Sequence, residues 1–394
     1  MNFHNPTIQV YFMLKKKKVF LGRLALKNRQ IFFEYTSEFI KTGLEISPFK
    51  LPLKAGVITC EDRLFEGLFG VFNDSLPDGW GRLLLDRKLM QMNMNPGSLS
   101  PLDRLSYVGD CGMGALSYEP EVEGTHASHH ESLDEIANEV VQFEEKDDDR
   151  FVDDLLAMNG SSSGARPKIL VNIDNKDWII KFRSPVDPKD IGSIEYAYHL
   201  MAKEACLDVT DAKLFPSKKG RGYFGVRRFD RVDGERLHVH TVCGLLHADY
   251  RIPSLDYETI MKATLWLTKS QMESEKQFRA AVFNVFSHNR DDHSKNFSFL
   301  MDENGVWHVS PSYDLTFSSG PAGEHCTTIM REGKNPTSSH LLKLAEIAGI
   351  KKQTALQIID EVRGAISKWV DFAQEAGVHP SSLAMIWTTL KKLS

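Results

Sequence analysis

Three side chains carry the most specific chemistry in this sequence: Asp291, Asn296 and Asp314. The first two lie in Asn284-Val-Phe-Ser-His-Asn-Arg-Asp-Asp-His-Ser-Lys-Asn-Phe-Ser-Phe-Leu300, where polar groups crowd a loop between an apolar helical stretch and a strand-like one. Phosphoryl transfer needs such a loop. One carboxylate orients the attacking hydroxyl, and an amide oxygen a few residues on holds magnesium. Asp314, in Ser310-Pro-Ser-Tyr-Asp-Leu-Thr316, follows the short strand-like run Trp307-His308-Val309. It is placed to act as a second hard oxygen ligand for Mg²⁺.

A further segment suits phosphate. Asn159-Gly-Ser-Ser-Ser-Gly-Ala-Arg-Pro-Lys168 is rich in small residues, which let backbone N–H groups approach an anion closely. It leads into a hairpin-like pair, Ile169–Asn172 and Trp178–Phe182, with Asp174-Asn175-Lys176 as the turn. Lys181 ends that hairpin, where a lysine could pair with the α/β-phosphates. Each piece alone is weak. The order of loop, lysine, Asp-x4-Asn, strand and Asp is what points to ATP- and Mg²⁺-dependent chemistry, and Asp291 to Asn296 has the base-to-amide spacing of the protein-kinase catalytic loop.

Around these motifs, residues 8–35 read as short strands separated by polar breaks at Lys15–Lys18 and Lys27-Asn28-Arg29. The lysine run reads as a solvated turn rather than a nucleic-acid patch. Asn73-Asp74-Ser75-Leu76-Pro77-Asp78-Gly79 reads as a loop capping a helix over Trp80–Met92. Residues 119–135 are acidic and polar, a linker whose His126, His129 and His130 carry only a weak suggestion of metal binding. Ile194–Cys206 has helical spacing, Tyr223–Val226 reads as a strand, and helical patterns dominate 256–300 and 337–394. Leu341, Leu342, Leu344, Ile347 and Ala348 mark one amphipathic face there.

These elements predict an α+β, two-lobed protein-kinase-like fold. It has a β-rich N-terminal lobe and an all-helical C-terminal lobe. The divisions are 1–118, a linker at 119–135, a nucleotide-binding part at 136–235 and a helical part at 236–394.

Composition narrows the class. The 394 residues carry a formal net charge of −5, which argues against a protein that grips nucleic acid with its whole surface. Five scattered cysteines, none in a C-x-x-C pair, argue against a disulfide framework or a cysteine zinc site and suit a reducing cytoplasm. No apolar stretch reaches the roughly 20 residues that span a bilayer.

From about residue 8 to beyond 340 the sequence resembles the HipA-type serine/threonine kinase toxins. Ser-Ser-Gly-Ala-Arg-Pro-Lys168 is similar to that family's glycine-rich loop, and Val226-Arg-Arg-Phe-Asp-Arg231 to its R-F-D-R segment. Asp291-Asp-His-Ser-Lys-Asn296 resembles its D-x-H-x-K-N catalytic loop, and Pro311-Ser-Tyr-Asp314 its P-x-Y-D metal segment.

The resemblance implies Asp291 as catalytic base, with His293 as a loop-orienting hydrogen bonder and Lys295 near the γ-phosphate. It implies Asn296 and Asp314 as Mg²⁺ ligands. Ser163, Gly164, Ala165, Arg166, Lys168, Lys181, Arg227 and Phe229 would contact nucleotide. Autophosphorylation is implied at Ser161, Ser162 or Ser163, where added charge of about −2 would rearrange the loop. Two departures stand out: Arg227 occupies a place where relatives often carry an acidic residue, and Leu237-His-Val-His-Thr-Val-Cys243 has no acidic residue after its histidine.

The resemblance also implies a toxin that phosphorylates a translation component such as glutamyl-tRNA synthetase. A small helix-turn-helix antitoxin would restrain it and supply the DNA contacts. Three other readings compete: a catalytically weak nucleotide-binding corepressor, a small-molecule phosphotransferase, and a metallohydrolase built on His288, Asp291, Asp292 and His293. The last leaves the glycine-rich loop and Lys181 without a role.

Overall fold

The computed structural model describes residues 6–122, 132–146, 149–159 and 164–393. The first sheet has five antiparallel strands in the order Val57–Thr59, Gln30–Tyr35, Lys17–Lys27, Thr7–Leu14 and Leu116–Glu119. Two of its hairpins turn on residue pairs with left-handed backbone: Lys15 and Lys16 (φ 48° and 63°) and Asn28 and Arg29 (φ 53° and 61°). Such two-residue turns match the right-handed twist of the flanking strands. The lysine run is thus a hairpin, its charges met by Glu303, Asp110 and Glu119. Alternate residues Ile8, Val10 and Phe12 point into the core, as strand periodicity requires.

A second antiparallel sheet orders the strands Lys168–Ile173, Lys176–Lys181, Tyr223–Arg227 and Ala212–Phe215. Its first hairpin turns at Asp174 and Asn175, again both left-handed (φ 52° and 58°). The helix Ile191–Glu204 packs on the strands Ala212–Phe215 and Tyr223–Arg227. The amphipathic helix Leu133–Lys146 buries Ile136, Val140 and Phe143 in a cluster with Trp80, Leu84, Trp178 and Ile180. The linker reading therefore changes. Residues 123–131, with His126, His129 and His130, lie outside the described residues, and the chain is helical from Leu133.

The all-helical reading of 236–394 is corrected. A three-stranded antiparallel sheet, His238–Thr241, Ser298–Met301 and Trp307–Val309, lies within it. The first strand escaped the sequence pattern because three of its four residues, His238, His240 and Thr241, are polar yet buried. His238 reaches the Ile46 carbonyl (2.8 Å), while His240 and Thr241 bond to Asp74. The helices Tyr257–Thr268 and Gln271–Phe286 pack on this sheet, and Ser338–Ile347 and Lys352–Ser367 pack in turn on those helices. On Ser338–Ile347 the inward face is Leu341, Leu344 and Ala345, with Ala348 just past its end, while Ile347 is exposed.

One hydrophobic core runs from Ile8 of the first sheet to Leu390 near the C-terminus. Between the two ends, the short helices Gly70–Asn73 and Val242–Leu246 meet backbone to backbone. A Cβ on Gly70 would fall 2.0 Å from the Gly244 carbonyl oxygen, so only glycine permits that approach. Among the described residues, no helix is long and apolar enough to cross a membrane.

Candidate functional site

Lys181 is the hinge of the site. The end of its strand buries it, and its ammonium reaches both Glu195 of the helix Ile191–Glu204 (3.2 Å) and Asp314 (2.5 Å). Glu195 is itself 3% exposed, and its other oxygen takes Arg166 at 2.7 Å. Arg166 also forks onto Asp187, with both contacts at 3.1 Å. The segment after the glycine-rich loop, the second sheet and the helix behind it are thereby locked through one buried carboxylate. Glu195 was missed by sequence reading. The available signal was an acidic residue on the helix after the phosphate-pairing lysine, the arrangement in kinases.

Burial alone would lower the Lys181 ammonium, but Asp314 and Glu195 outweigh it and hold its pKa above the ordinary value. Lys181, with Lys168 and Arg166 behind it, keeps the Asp314 carboxyl far below the usual carboxylate range. Burial, and after it the neighbouring Lys181 charge, push Lys168 down to about 8. Cations thus converge on the mouth of the site, while Asp314 remains 36% exposed on a left-handed backbone (φ 56°).

The loop from Asp291 to Asn296 is positioned from beneath. Asp292 is fully buried and accepts from the Tyr257 hydroxyl (2.8 Å), bonds to His325 (2.9 Å) and takes the Thr327 amide (3.3 Å). With Asp292 pointing in, its neighbour Asp291 points out and is exposed. Although the residue is exposed, the surrounding walls crowd water from the Asp291 carboxyl and raise its pKa, the Asp314 charge adding to it. Asn296 donates Nδ2 to the Asp291 carbonyl at 2.7 Å, which leaves Oδ1 as the amide's acceptor end. The Tyr313 hydroxyl donates to the Lys295 carbonyl at 2.5 Å, tying the Asp314 segment to the loop that carries Asn296.

Several residues of the expected site have partners within the chain. Arg228 and Arg231 of the R-F-D-R segment both bond to buried Asp230, which also accepts from the Gly114 amide at 2.8 Å. That cluster bolts the chain to the 110–116 loop. Phe229 packs against Tyr313, with ring centroids 5.5 Å apart, and so lies beside the Asp314 segment. Arg227 faces Asp211 at 3.8 Å on the sheet.

The His293 ring packs near Tyr250 (5.5 Å), and its Nδ1 has no partner among the described residues. Lys295 is drawn to Asp78 and lies over the Tyr250 ring at 4.7 Å. The acidic residue missing after the histidine is supplied from elsewhere in the chain: Asp74 takes His240 Nδ1 (2.7 Å), the Thr241 amide (2.8 Å) and the Thr241 hydroxyl (2.6 Å). Ser161, Ser162 and Ser163 lie outside the described residues. Gly164, Ala165 and Lys168 lie within them, close to Asp78 and Lys181.

The metallohydrolase quartet does not assemble. His288 bonds to the Ser318 carbonyl (3.0 Å) and stacks on Phe317, and Asp292 is consumed underneath. No cluster of three or more His, Cys, Asp or Glu fit for a metal occurs among the described residues. A magnesium ion is less demanding, because it takes one or two protein ligands and completes its shell with phosphate oxygens and water. The Asn296 Oδ1 and the partly exposed Asp314 carboxylate are hard oxygens of the kind that description asks for.

This is an α+β chain in which Arg166, Lys168 and Lys181 gather around Glu195 and Asp314. The family model of the HipA-like C-terminal domain matches residues 160–370, and that of the HipA N-terminal domain matches 13–119. The chain belongs to the HipA family. It is similar to the HipA of Shewanella oneidensis MR-1, whose structure was determined with HipB and its operator DNA. The TM-score is 0.69 at 17% identity, covering 98% of this chain and 95% of that one. A fainter likeness, TM-score 0.38 at 12% identity, covers 57% of this chain and 94% of the Helicobacter pylori proinflammatory kinase CtkA. At that level it adds nothing to the argument.

Proposed function

We propose that this chain is an ATP- and Mg²⁺-dependent serine/threonine protein kinase, two-lobed in the kinase manner, and the toxin of a toxin–antitoxin pair. The observation that carries the reading is the Lys181 ammonium held between Glu195 and Asp314, with an exposed Asp291 in the loop whose Asn296 spends its Nδ2 on the Asp291 carbonyl. A lysine paired to a helix glutamate next to a metal-binding aspartate is the arrangement that phosphoryl transfer requires.

In this reading Lys181 and Lys168 bind the nucleotide phosphates. Asp291, held in place by buried Asp292, orients the acceptor hydroxyl and accepts its proton at the carboxylate. Asn296 and Asp314 would hold magnesium, which when bound neutralises charge on the phosphates. The acceptor is a protein serine or threonine, on a translation component such as glutamyl-tRNA synthetase and in cis at Ser161, Ser162 or Ser163. A small helix-turn-helix antitoxin is the expected partner, in keeping with the HipB complex of the Shewanella protein, with DNA contacted only through it. The reading is of a cytoplasmic protein.

The test is incubation with labelled ATP and Mg²⁺, then mass-spectrometric mapping of phosphate, with Asp291→Ala as control. Label within Ser161–Ser163 that vanishes in the variant supports the kinase. Tight ATP binding by the folded protein without transfer to itself or to cell extract sinks the kinase reading and leaves a nucleotide-binding corepressor.

A further inference from the structure

The helix Gly79–Gln91 begins at Asp78, and Asp78 does not cap it: no bond runs from its carboxylate to its own first turn. An aspartate at this position normally accepts from an amide two or three residues on. Here the carboxylate is turned away from its helix. One oxygen accepts from the Gly164 amide and the other takes the Lys295 ammonium. Both side chains are buried, Asp78 at 11% exposure and Lys295 at 8%.

The same junction is closed twice more. The Trp80 amide donates to the Gly164 carbonyl at 3.1 Å, so both polar groups of Gly164 are held by the 78–80 turn. Gly79, at φ 42°, lies so close to the loop that a Cβ there would fall 2.6 Å from the Gly164 oxygen and 2.7 Å from the Ala165 Cα. Asp78 belongs to the region matched by the N-terminal domain model, 13–119, whereas Gly164 and Lys295 belong to the region matched by the C-terminal one, 160–370.

We propose that Asp78 is a positioning residue lent by the N-terminal domain, which aims Lys295 and seats the end of the glycine-rich loop, so that the phosphate site is complete only while the Leu76–Trp80 turn is docked. The inference rests on the kinase reading for its catalytic half. Its geometric half stands on the contacts alone. The N-terminal domain thereby gains a role at the site, because any partner that shifts this turn alters phosphate transfer without touching nucleotide.

The experiment compares wild-type full chain with Asp78→Ala, Asp78→Glu and Gly79→Ala. In the absence of ATP, hydrogen–deuterium exchange of the peptide containing Gly164 is expected to speed up in Asp78→Ala, because its amide loses its acceptor. With ATP and Mg²⁺, kcat should fall on the order of 10²-fold in Asp78→Ala, the scale of a misplaced reacting group. Asp78→Glu should recover part of it. Gly79→Ala should act mainly by raising the KM for ATP, since the added carbon pushes the loop and spares the carboxylate.

Far-UV circular dichroism and the unfolding midpoint show that the variants are folded. Unchanged exchange at Gly164, or an unchanged kcat in folded Asp78→Ala, overturns the proposal. A wild-type protein that transfers no phosphate, yet whose Gly164 exchange responds to Asp78→Ala, overturns the kinase reading and leaves the seating of the loop intact.

Discussion

Two aspartates, Asp230 and Asp314, both sit among basic side chains, and they do opposite work. Asp230 is 3% exposed, and its partners Arg228 and Arg231 also donate to the Gly112 and Gly114 carbonyls. Both carboxylate oxygens are bonded, and the Arg228 and Arg231 charges keep the Asp230 carboxyl far below the usual range despite its burial. Asp314 is open to solvent on one side, its lysine is shared with Glu195, and a second lysine lies within its field. A closed cluster whose carboxylate is bonded on both oxygens is a fastener. An open one keeps its carboxylate within reach of solvent. Both lie in segments that resemble family motifs, so motif membership alone does not separate fastener from site.

The contrast breaks most sharply on activity. On the kinase reading, Asp314→Asn should reduce phosphate transfer by on the order of 10³-fold, as loss of the proposed metal ligand and of the Lys181 charge partner demands. Its unfolding midpoint should stay near that of the wild type, because Lys181 keeps Glu195. Transfer within tenfold of wild type would mean that Asp314 is a second fastener.

Asp230→Ala should do the reverse. Leaving two buried arginines without their carboxylate costs about 3–5 kcal/mol of stability, read from urea unfolding, while transfer per folded molecule stays within a few-fold. Acid should find the same weakness. The depressed Asp230 pKa contributes stability that is fully present above the ordinary carboxylate range and is lost as pH falls through the folded value.

The pH profile sharpens the open side. Asp291 must be ionised to accept a proton, and its pKa is raised, so the acid limb of transfer should fall at a pH above that of an ordinary aspartate. Lys168 is cationic only below about 8, so the KM for ATP should climb as pH passes that value. Lys168→Arg keeps the charge and should remove the alkaline limb. An alkaline limb unchanged in that variant would take Lys168 out of the phosphate site.

The smallest effect is expected at Arg227. Its 3.8 Å approach to the exposed Asp211 is worth at most about 1 kcal/mol. Arg227→Ala should therefore change the KM for ATP by less than about fivefold. A larger change would give Arg227 a direct nucleotide contact.

The helices and most of the strands were legible because their periodicity is local. The hairpins at Lys15–Lys16, Asn28–Arg29 and Asp174–Asn175 announce themselves through turn-forming residues between apolar runs. The strand His238–Thr241 was not legible, since nothing in a His-Val-His-Thr string shows that Ile46 and Asp74 will satisfy it. Ile347 was wrongly placed on an inner face, since spacing shows that an apolar stripe exists but not where its edge lies.

At the site, the sequence by itself determined the chemical inventory: a carboxylate, an amide and a second carboxylate at kinase-like spacing, with a lysine and a glycine-rich loop upstream. Local order suffices there, because catalytic loops are short and their spacing is set by the chain. Only the tertiary structure decided the partnerships. Asp292 turns in and Asp291 turns out, Glu195 takes Lys181, Asp74 stands in for an acid absent beside His240, and Asp78 crosses from the N-terminal domain to hold Lys295. These partners are separated by 14 to 217 positions along the chain. Which buried charge meets which is fixed by the packing of whole sheets and helices, and no local pattern records it.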